Sequence, residues 1–138
     1  MILLIDPAHE PVAIALANNG NIVAERTVSE RRQQSAELLS LIDQVLTGAQ
    51  LDVGALEAVA VVRGPGSFTS LRVGLAAANA LAQSARLPMI GLLAEDGMTT
   101  AELARVATTQ LAAGQTDPTL LPEYGRPPSI TPPAERSA

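Results

Sequence analysis

The feature that most constrains this chain is a short apolar segment that runs directly into a glycine-rich turn and then a long alanine-rich segment. The apolar segment is Ala58–Val62, and the turn is Gly64–Gly66, with proline between two glycines. Glycine adopts backbone angles that a Cβ would forbid, and proline fixes φ at about −65°. Ser67 follows where it can cap a helix over residues 67–85. The pattern predicts a strand, a tight turn and a helix.

A turn of this kind has two interpretations, and both stay open. The free N–H groups at the start of a helix point into the preceding turn and can bind a phosphate or another anion. The same turn can equally be a short connection between a strand and a helix, with no ligand at all. The Gly64–Gly66 turn is therefore a candidate anion site.

The composition limits the functions that this chain can have. With 138 residues, it is long enough for one domain with a single core. Nine basic residues against 14 acidic ones give a net charge of −5, which argues against nucleic-acid binding by this chain alone. The absence of cysteine excludes disulfides and thiolate metal sites. His9 is the single histidine, so there is no His-pair metal site, and we expect a solvated loop residue there.

Hydrophobic periodicity divides the chain into predicted elements and a tail. Short apolar runs indicate strands, whereas apolar positions at helical spacing indicate helices. The predicted strands cover residues 2–5, 12–17, 22–28, 58–62 and 88–92, and the predicted helices cover 34–47, 67–85 and 100–113. Thr99 or Thr100 is the expected cap of the last helix, and Gly114 its end. We expect residues 1–114 to form one lobe and residues 115–138, with six of the ten prolines, an irregular tail.

The order of these elements predicts the topology of the sheet. Asn18, Asn19 and Gly20 favour a hairpin between the second and third strands, which then pair antiparallel. The later strands return through helices, and right-handed crossovers in one direction place the first two helices on the same face. The third helix then has to cover the opposite face. The expected fold class is α/β, with a five-stranded mixed sheet, two helices on one face and one on the other.

The second predicted helix is unusually apolar for a helix that lies on a sheet. Apart from a stripe of Arg72, Asn79 and Gln83, its residues after the cap are almost all small or apolar. One interpretation is alanine tolerated at a surface. The other is a helix covered by a second protein, with Gly74 permitting close approach, which the wide apolar arc of the first helix supports. The expected partner surface consists of Leu38, Leu41, Ile42, Val45, Leu71, Leu75, Ala76 and Ala80.

Four segments of the chain resemble the TsaB (YeaZ-like) family. The Gly64–Arg72 segment is similar to the family signature Gly-Pro-Gly-Ser-Phe-Thr-Gly-x-Arg. Met1–Asp6 resembles the family's opening strand and aspartate, Gln34–Leu39 a His-Ser/Thr-x-x-Leu-Leu segment, and Pro88–Gly91 its fifth strand. Pro7 stands where the family usually has threonine. The resemblance implies one lobe of the actin-like (ASKHA, RNase H-like) fold.

The resemblance also implies a function. The family is the non-catalytic partner of the TsaD-type transferase that forms threonylcarbamoyladenosine (t6A) in tRNA, so this chain is expected to bind and activate such an enzyme. A TsaE-type ATPase would join through the complex, and the chain alone would form a homodimer. The resemblance implies no cofactor, no metal and a vestigial anion loop. The residues of that loop are Asp6, Gly64, Gly66 and Ser67. TsaD carries metal-binding histidines after the fifth strand, whereas Leu92–Asp96 contains none.

Two other functions are compatible with the sequence. One is a small ATPase or a glycoprotease-like peptidase fragment that uses Asp6 and the Gly64–Gly66 turn, and the other is a lobe that only homodimerises. Pro7 favours a structural role for Asp6, as a turn residue whose carboxylate accepts hydrogen bonds from local N–H groups. The family's second lobe has no counterpart between about Leu92 and Ala101, so we expect a shortened scaffold. Without a signal peptide or membrane span, a cytoplasmic location is expected.

Overall fold

A computed structural model describes residues 1–9, 11–28, 35–66, 68–95 and 97–117. This described part contains five strands and three α-helices, as the sequence predicts. The strands are β1 (Ile2–Asp6), β2 (Val12–Asn18), β3 (Asn21–Val28), β4 (Ala58–Gly64) and β5 (Met89–Leu93), and the helices are α1 (Ser35–Gly48), α2 (Phe68–Ala85) and α3 (Thr100–Ala112). Ser67 and the tail from residue 118 onward lie outside the described residues.

The five strands form one mixed sheet with the order β3–β2–β1–β4–β5. β2 pairs antiparallel with both β1 and β3, and β4 pairs parallel with both β1 and β5. The β2–β3 hairpin turns at Asn19 and Gly20, whose φ angles of 52° and 84° are the positive values that this sequence predicts. β1 is the central strand, and β3 and β5 are the two edges.

The strands β1, β2 and β4 are apolar on both faces because helices cover both faces of the sheet there. Side chains alternate along β1, so Leu3 and Ile5 point to one face and Ile2 and Leu4 to the other. α1 and α2 pack on the first face, and α3 packs on the second through its buried Leu103. The predicted arrangement of two helices on one face and one on the other is confirmed. Across the described residues, no helix is long and apolar enough to cross a membrane.

α3 begins at a complete capping box. The Thr99 hydroxyl accepts a hydrogen bond from the Glu102 N–H (3.1 Å), and the Glu102 carboxylate accepts one from the Thr99 N–H (2.8 Å). These hydrogen bonds from the Thr99 backbone and side chain hold the pKa of Glu102 below its usual 4.5. Thr99 is thus the cap, whereas the Thr100 hydroxyl donates to Glu25 of β3 (3.4 Å).

The chain returns to the sheet after α3. Gly114, at a φ of 74°, follows the helix end, as predicted. Asp117 then pairs with Met89 at the free edge of β5. The described contacts with the sheet therefore continue past residue 114, the predicted end of the lobe.

Candidate functional site

The Gly64–Gly66 turn joins the end of β4 to the start of α2. Gly64 has a φ of 131°, a conformation that glycine adopts far more readily than other residues. Its carbonyl accepts a hydrogen bond from the Ala94 N–H (2.7 Å). Gly66 lies against Ala8, because a Cβ at this position would be 2.8 Å from the Ala8 Cα and carbonyl oxygen. The turn requires glycine at both ends: Gly64 for its backbone conformation, and Gly66 for its close approach to Ala8.

A second close approach occurs within α2, at Gly74. A Cβ at Gly74 would lie 2.5 Å from the Cγ and 2.6 Å from the Cβ of Pro7. Gly74 is buried, so the interpretation that it permits the approach of a second protein needs correction. Its role lies inside the lobe, where it lets α2 pack on the loop that follows β1.

Asp6 and His9 form a hydrogen-bonded pair at the carboxyl end of β1. The Asp6 residue is only 4% exposed. Its Oδ1 accepts a hydrogen bond from the Ala8 N–H (3.1 Å), and its Oδ2 lies 2.7 Å from the His9 Nδ1. The first bond is the local turn interaction that Pro7 favours. His9 lies in the loop after β1 with 39% of its side chain exposed, as expected, and its ring also bonds to Asp6.

Sequence analysis does not single out the Asp6–His9 pair, although its signal is present. The two residues stand three positions apart in a loop that contains Pro7 and Pro11. A carboxylate that bonds one imidazole nitrogen orients the ring and leaves the other nitrogen available for a proton or a metal. Among the residues that the structure describes, no group of three His, Cys, Asp or Glu side chains could hold a metal ion.

The structure brings together the described residues of the predicted anion loop. Asp6 and the turn are connected through Ala8, whose N–H bonds Asp6 and whose Cα and carbonyl lie against Gly66. Both Asp6 oxygens accept hydrogen bonds from within the chain. Ser67, the fourth residue of this prediction, lies outside the described residues. The Asp6 loop and the turn therefore form one packed unit, which we call the turn cluster.

The predicted partner surface divides into a buried part and an accessible part. Five of its eight residues are at most 3% exposed: Leu38, Ile42, Val45, Leu71 and Leu75. These five pack in the core of the chain itself, so they do not lie on an outer surface, and the prediction needs correction there. The physical reason is that α1 and α2 contact each other as well as the sheet, which uses a wide apolar arc inside the lobe.

The accessible part lies on the outer side of α2. Ala76 and Ala80 are both exposed, one helical turn apart. Arg72 and Gln83 are exposed beside them, and Leu41 of α1 is half-buried. We call these five residues the outer α2 surface. The centre of this surface consists of the small apolar side chains of Ala76 and Ala80, which the sequence predicts to be accessible.

An apolar groove of about 460 Å³ lies between β5 and α3. Leu93 and Val106, which are 56% and 38% exposed, line it together with Met98. Arg63 and Glu95 add polar groups to its lining. Sequence analysis misses this groove, because its residues belong to a strand and a helix that become neighbours only in the fold.

The class of protein that these features define is a single α/β lobe. Its mixed sheet lies between helices, and a glycine-rich turn precedes a long helix of small residues. A family model, TsaD: tRNA N6-adenosine threonylcarbamoyltransferase, matches residues 21–118. The tRNA threonylcarbamoyladenosine biosynthesis protein TsaB of Escherichia coli is 38% identical over 91 residues, covering 66% of this chain and 39% of the relative.

Two further comparisons give the same result. The TsaB protein of Haemophilus influenzae is 37% identical over 94 residues, covering 64% of this chain and 37% of the relative. The structure of YeaZ from Pseudomonas aeruginosa superposes with a TM-score of 0.60 at 26% identity, covering 67% of this chain and 43% of that chain. The chain belongs to the TsaB/YeaZ-like family. It spans about two-fifths of the length of these curated relatives.

Proposed function

We propose that this chain acts in the biosynthesis of threonylcarbamoyladenosine in tRNA, the process for which its TsaB relatives are named. Its role there is to bind and activate a TsaD-type transferase, with a TsaE-type ATPase joining through the complex. The chain is a protein-binding lobe rather than a catalyst, and it works in the cytoplasm. Without its partner it forms a homodimer through the same surface.

The observation that carries this proposal is the outer α2 surface. Ala76 and Ala80 are exposed one turn apart at the centre of the outer side of α2, between the exposed polar residues Arg72 and Gln83. Small side chains let the backbone of a second helix approach closely, and burying them costs little side-chain entropy. Arg72 and Gln83 provide polar groups at the border of the patch. This composition suits a contact with an apolar helix of a partner protein.

The turn cluster supports a non-catalytic role. Asp6 is the carboxylate that an ATPase or peptidase function would use, yet both its oxygens already accept hydrogen bonds from Ala8 and His9. With Asp6 only 4% exposed, a metal or a substrate has little access to this carboxylate. The close contacts of Gly66 with Ala8 and of Gly74 with Pro7 fill the space around the loop with backbone and side-chain atoms. The cluster serves to pack α2 on the sheet.

Substitutions on the outer α2 surface test the proposal. Ala76→Arg and Ala80→Arg should weaken binding to the TsaD-type transferase about 100-fold, since an unpaired charge buried in an interface costs about 3 kcal/mol or more. Leu41→Glu is the companion change on α1. Circular dichroism should show the wild-type fold for all three variants. The t6A content of tRNA should fall in cells that depend on each variant.

Two further variants make the test specific. Ala112→Arg makes the same exchange at an exposed position of α3, on the opposite face of the sheet, and should leave binding and t6A unchanged. His9→Ala removes the imidazole from Asp6 and should also leave t6A unchanged. Normal binding and t6A with Ala76→Arg and Ala80→Arg would contradict the proposed surface. Loss of t6A with His9→Ala, without loss of binding, would favour an enzymatic function of the turn cluster instead.

A further inference from the structure

β5 is an edge strand whose outward backbone groups belong to alternate residues. The Pro88 carbonyl accepts a hydrogen bond from β4, and the Ala94 N–H donates one to β4, so these positions face the sheet. Backbone groups alternate in direction along a strand. The N–H and C=O groups of Met89, Gly91 and Leu93 therefore point away from β4, toward the open edge.

Asp117 forms hydrogen bonds with two of these outward backbone groups. Its N–H donates to the Met89 carbonyl (2.7 Å), and its Oδ2 accepts a hydrogen bond from the Gly91 N–H (3.0 Å). The carboxylate thus takes the place of the carbonyl that a neighbouring strand would bring. Among the residues that the structure describes, pairing at this edge is a single bridge between Met89 and Asp117.

The two edges of the sheet differ in how they are protected. β3 carries the exposed charged residues Glu25 and Arg26, and charges on an edge strand discourage pairing with another chain. β5 has the sequence Met-Ile-Gly-Leu-Leu and carries no charge, and Leu93 at its end is 56% exposed. An uncharged apolar edge readily accepts another strand. β5 therefore requires protection from outside its own sequence.

We propose that Asp117 is a strap that closes the β5 edge against a second copy of this chain. Two identical edges can pair antiparallel about a twofold axis, and each then satisfies the outward groups of the other. Leu93, Met98 and Val106 of the neighbouring groove add apolar area that such a contact would bury. Opening the strap converts the edge into an interface between two copies, distinct from the outer α2 surface on the other side of the sheet.

Substitution of Asp117 tests the strap by sedimentation of the full chain. Asp117→Ala removes the acceptor for Gly91 and should raise the sedimenting mass, with increasing concentration, to at least twice that of the wild type. Asp117→Asn keeps an oxygen in the same place and should sediment like the wild type. Asp52→Ala removes an equal charge from an exposed position away from the edge and is the matched control. An Asp117→Ala variant with wild-type mass overturns the proposal.

A second substitution identifies the edge as the site of association. Leu93→Lys, added to Asp117→Ala, places a charge on the open edge and should return the mass to that of the wild type. If the double variant stays associated, the interface lies elsewhere and the proposal is wrong.

Amide exchange in the wild-type chain gives a measurement that does not depend on how the variants fold. The Gly91 N–H should exchange about five- to tenfold more slowly than an unbonded amide, because the Asp117 carboxylate holds it. Exchange of Gly91 at the unprotected rate would show that the strap is open, and it would contradict the proposal directly.

Discussion

Gly66 and Ala8 lie so close together that the loop after β1 and the turn before α2 cannot move independently. A Cβ at Gly66 would come within 2.8 Å of two backbone atoms of Ala8, which belong to a segment fixed at both ends. Gly74, inside α2, makes a similar close contact with Pro7 of the same loop. The position of Asp6 is thus set by the packing of its neighbours.

This packing predicts the effect of Gly66→Ala on stability. The added methyl group meets backbone rather than the flexible end of a side chain, so the free energy of unfolding should fall by about 1–3 kcal/mol. Gly48→Ala is the matched control, because a Cβ there meets nothing within 4 Å, and its stability should be unchanged or slightly raised. Urea denaturation of both variants measures the difference. Equal stability of the two would mean that the turn is not packed against Ala8.

At the scale of single residues, the sequence predicts where the backbone requires glycine better than it predicts which residues contact each other. The need for glycine in the Gly64–Gly66 turn follows from its place between a strand and a helix. The Asp6–His9 bond joins residues three positions apart, but the sequence pattern leaves the conformation of their loop open. The contact of Gly74 with Pro7 does not follow from the sequence either, because it depends on how this loop packs on a helix that is distant in sequence.

α3 is the element whose local sequence most directly stabilises it. Thr99→Ala removes the hydroxyl that accepts the Glu102 N–H, and it should lower the free energy of unfolding at neutral pH by about 1 kcal/mol. Thr109→Ala is the control: this exposed residue inside the same helix donates its hydroxyl to the Arg105 carbonyl (3.0 Å) and caps nothing, so its loss should leave the stability unchanged or slightly raised. Thermal denaturation measures both. Equal behaviour of the two variants would mean that the cap contributes nothing.

The same capping box has a predictable dependence on pH. The Thr99 backbone and side chain bond the Glu102 carboxylate and lower its pKa in the folded chain. A lowered pKa gives a stabilisation that is present above the usual value of 4.5 and is lost as the pH falls through the lower folded value. The stability difference between wild type and Thr99→Ala should therefore narrow below pH 4.5. A difference that widens there would contradict this assignment of the Glu102 pKa.

At the scale of elements, periodicity predicts where helices and strands lie but not how much of each helix stays exposed. The strands, the three helices and the faces they cover follow from apolar spacing and chain order. The wide apolar arcs of α1 and α2 indicate a partner, yet Leu38, Ile42 and Leu75 are buried within the lobe. A helix that contacts both a sheet and a neighbouring helix buries a wider arc than one that contacts a sheet alone.

The described part of the molecule is organised around a sheet whose strands β1, β2 and β4 are buried on both faces. Leu38 of α1 lies in the core on one face, and Leu103 of α3 lies in the core on the other, and both are 0% exposed. Among the described residues, the two cores share no side chains, but they share the backbone of the central strands, since neighbouring residues of β1 point into different cores. Loss of either core therefore leaves one face of the same sheet open to water.

Because both cores depend on one sheet, we predict that the lobe unfolds in a single transition. Leu38→Ala and Leu103→Ala should each lower the free energy of unfolding by about 2–5 kcal/mol. Their effects should add within about 0.5 kcal/mol in the double variant, since the two sites lie on opposite faces and have no common partners. Denaturation followed by circular dichroism and by amide exchange should give one midpoint for each variant. If α3 melts in a separate, earlier transition in Leu103→Ala while the other face stays folded, then α3 is an accessory layer, and the stable unit of this chain is the sheet with α1 and α2.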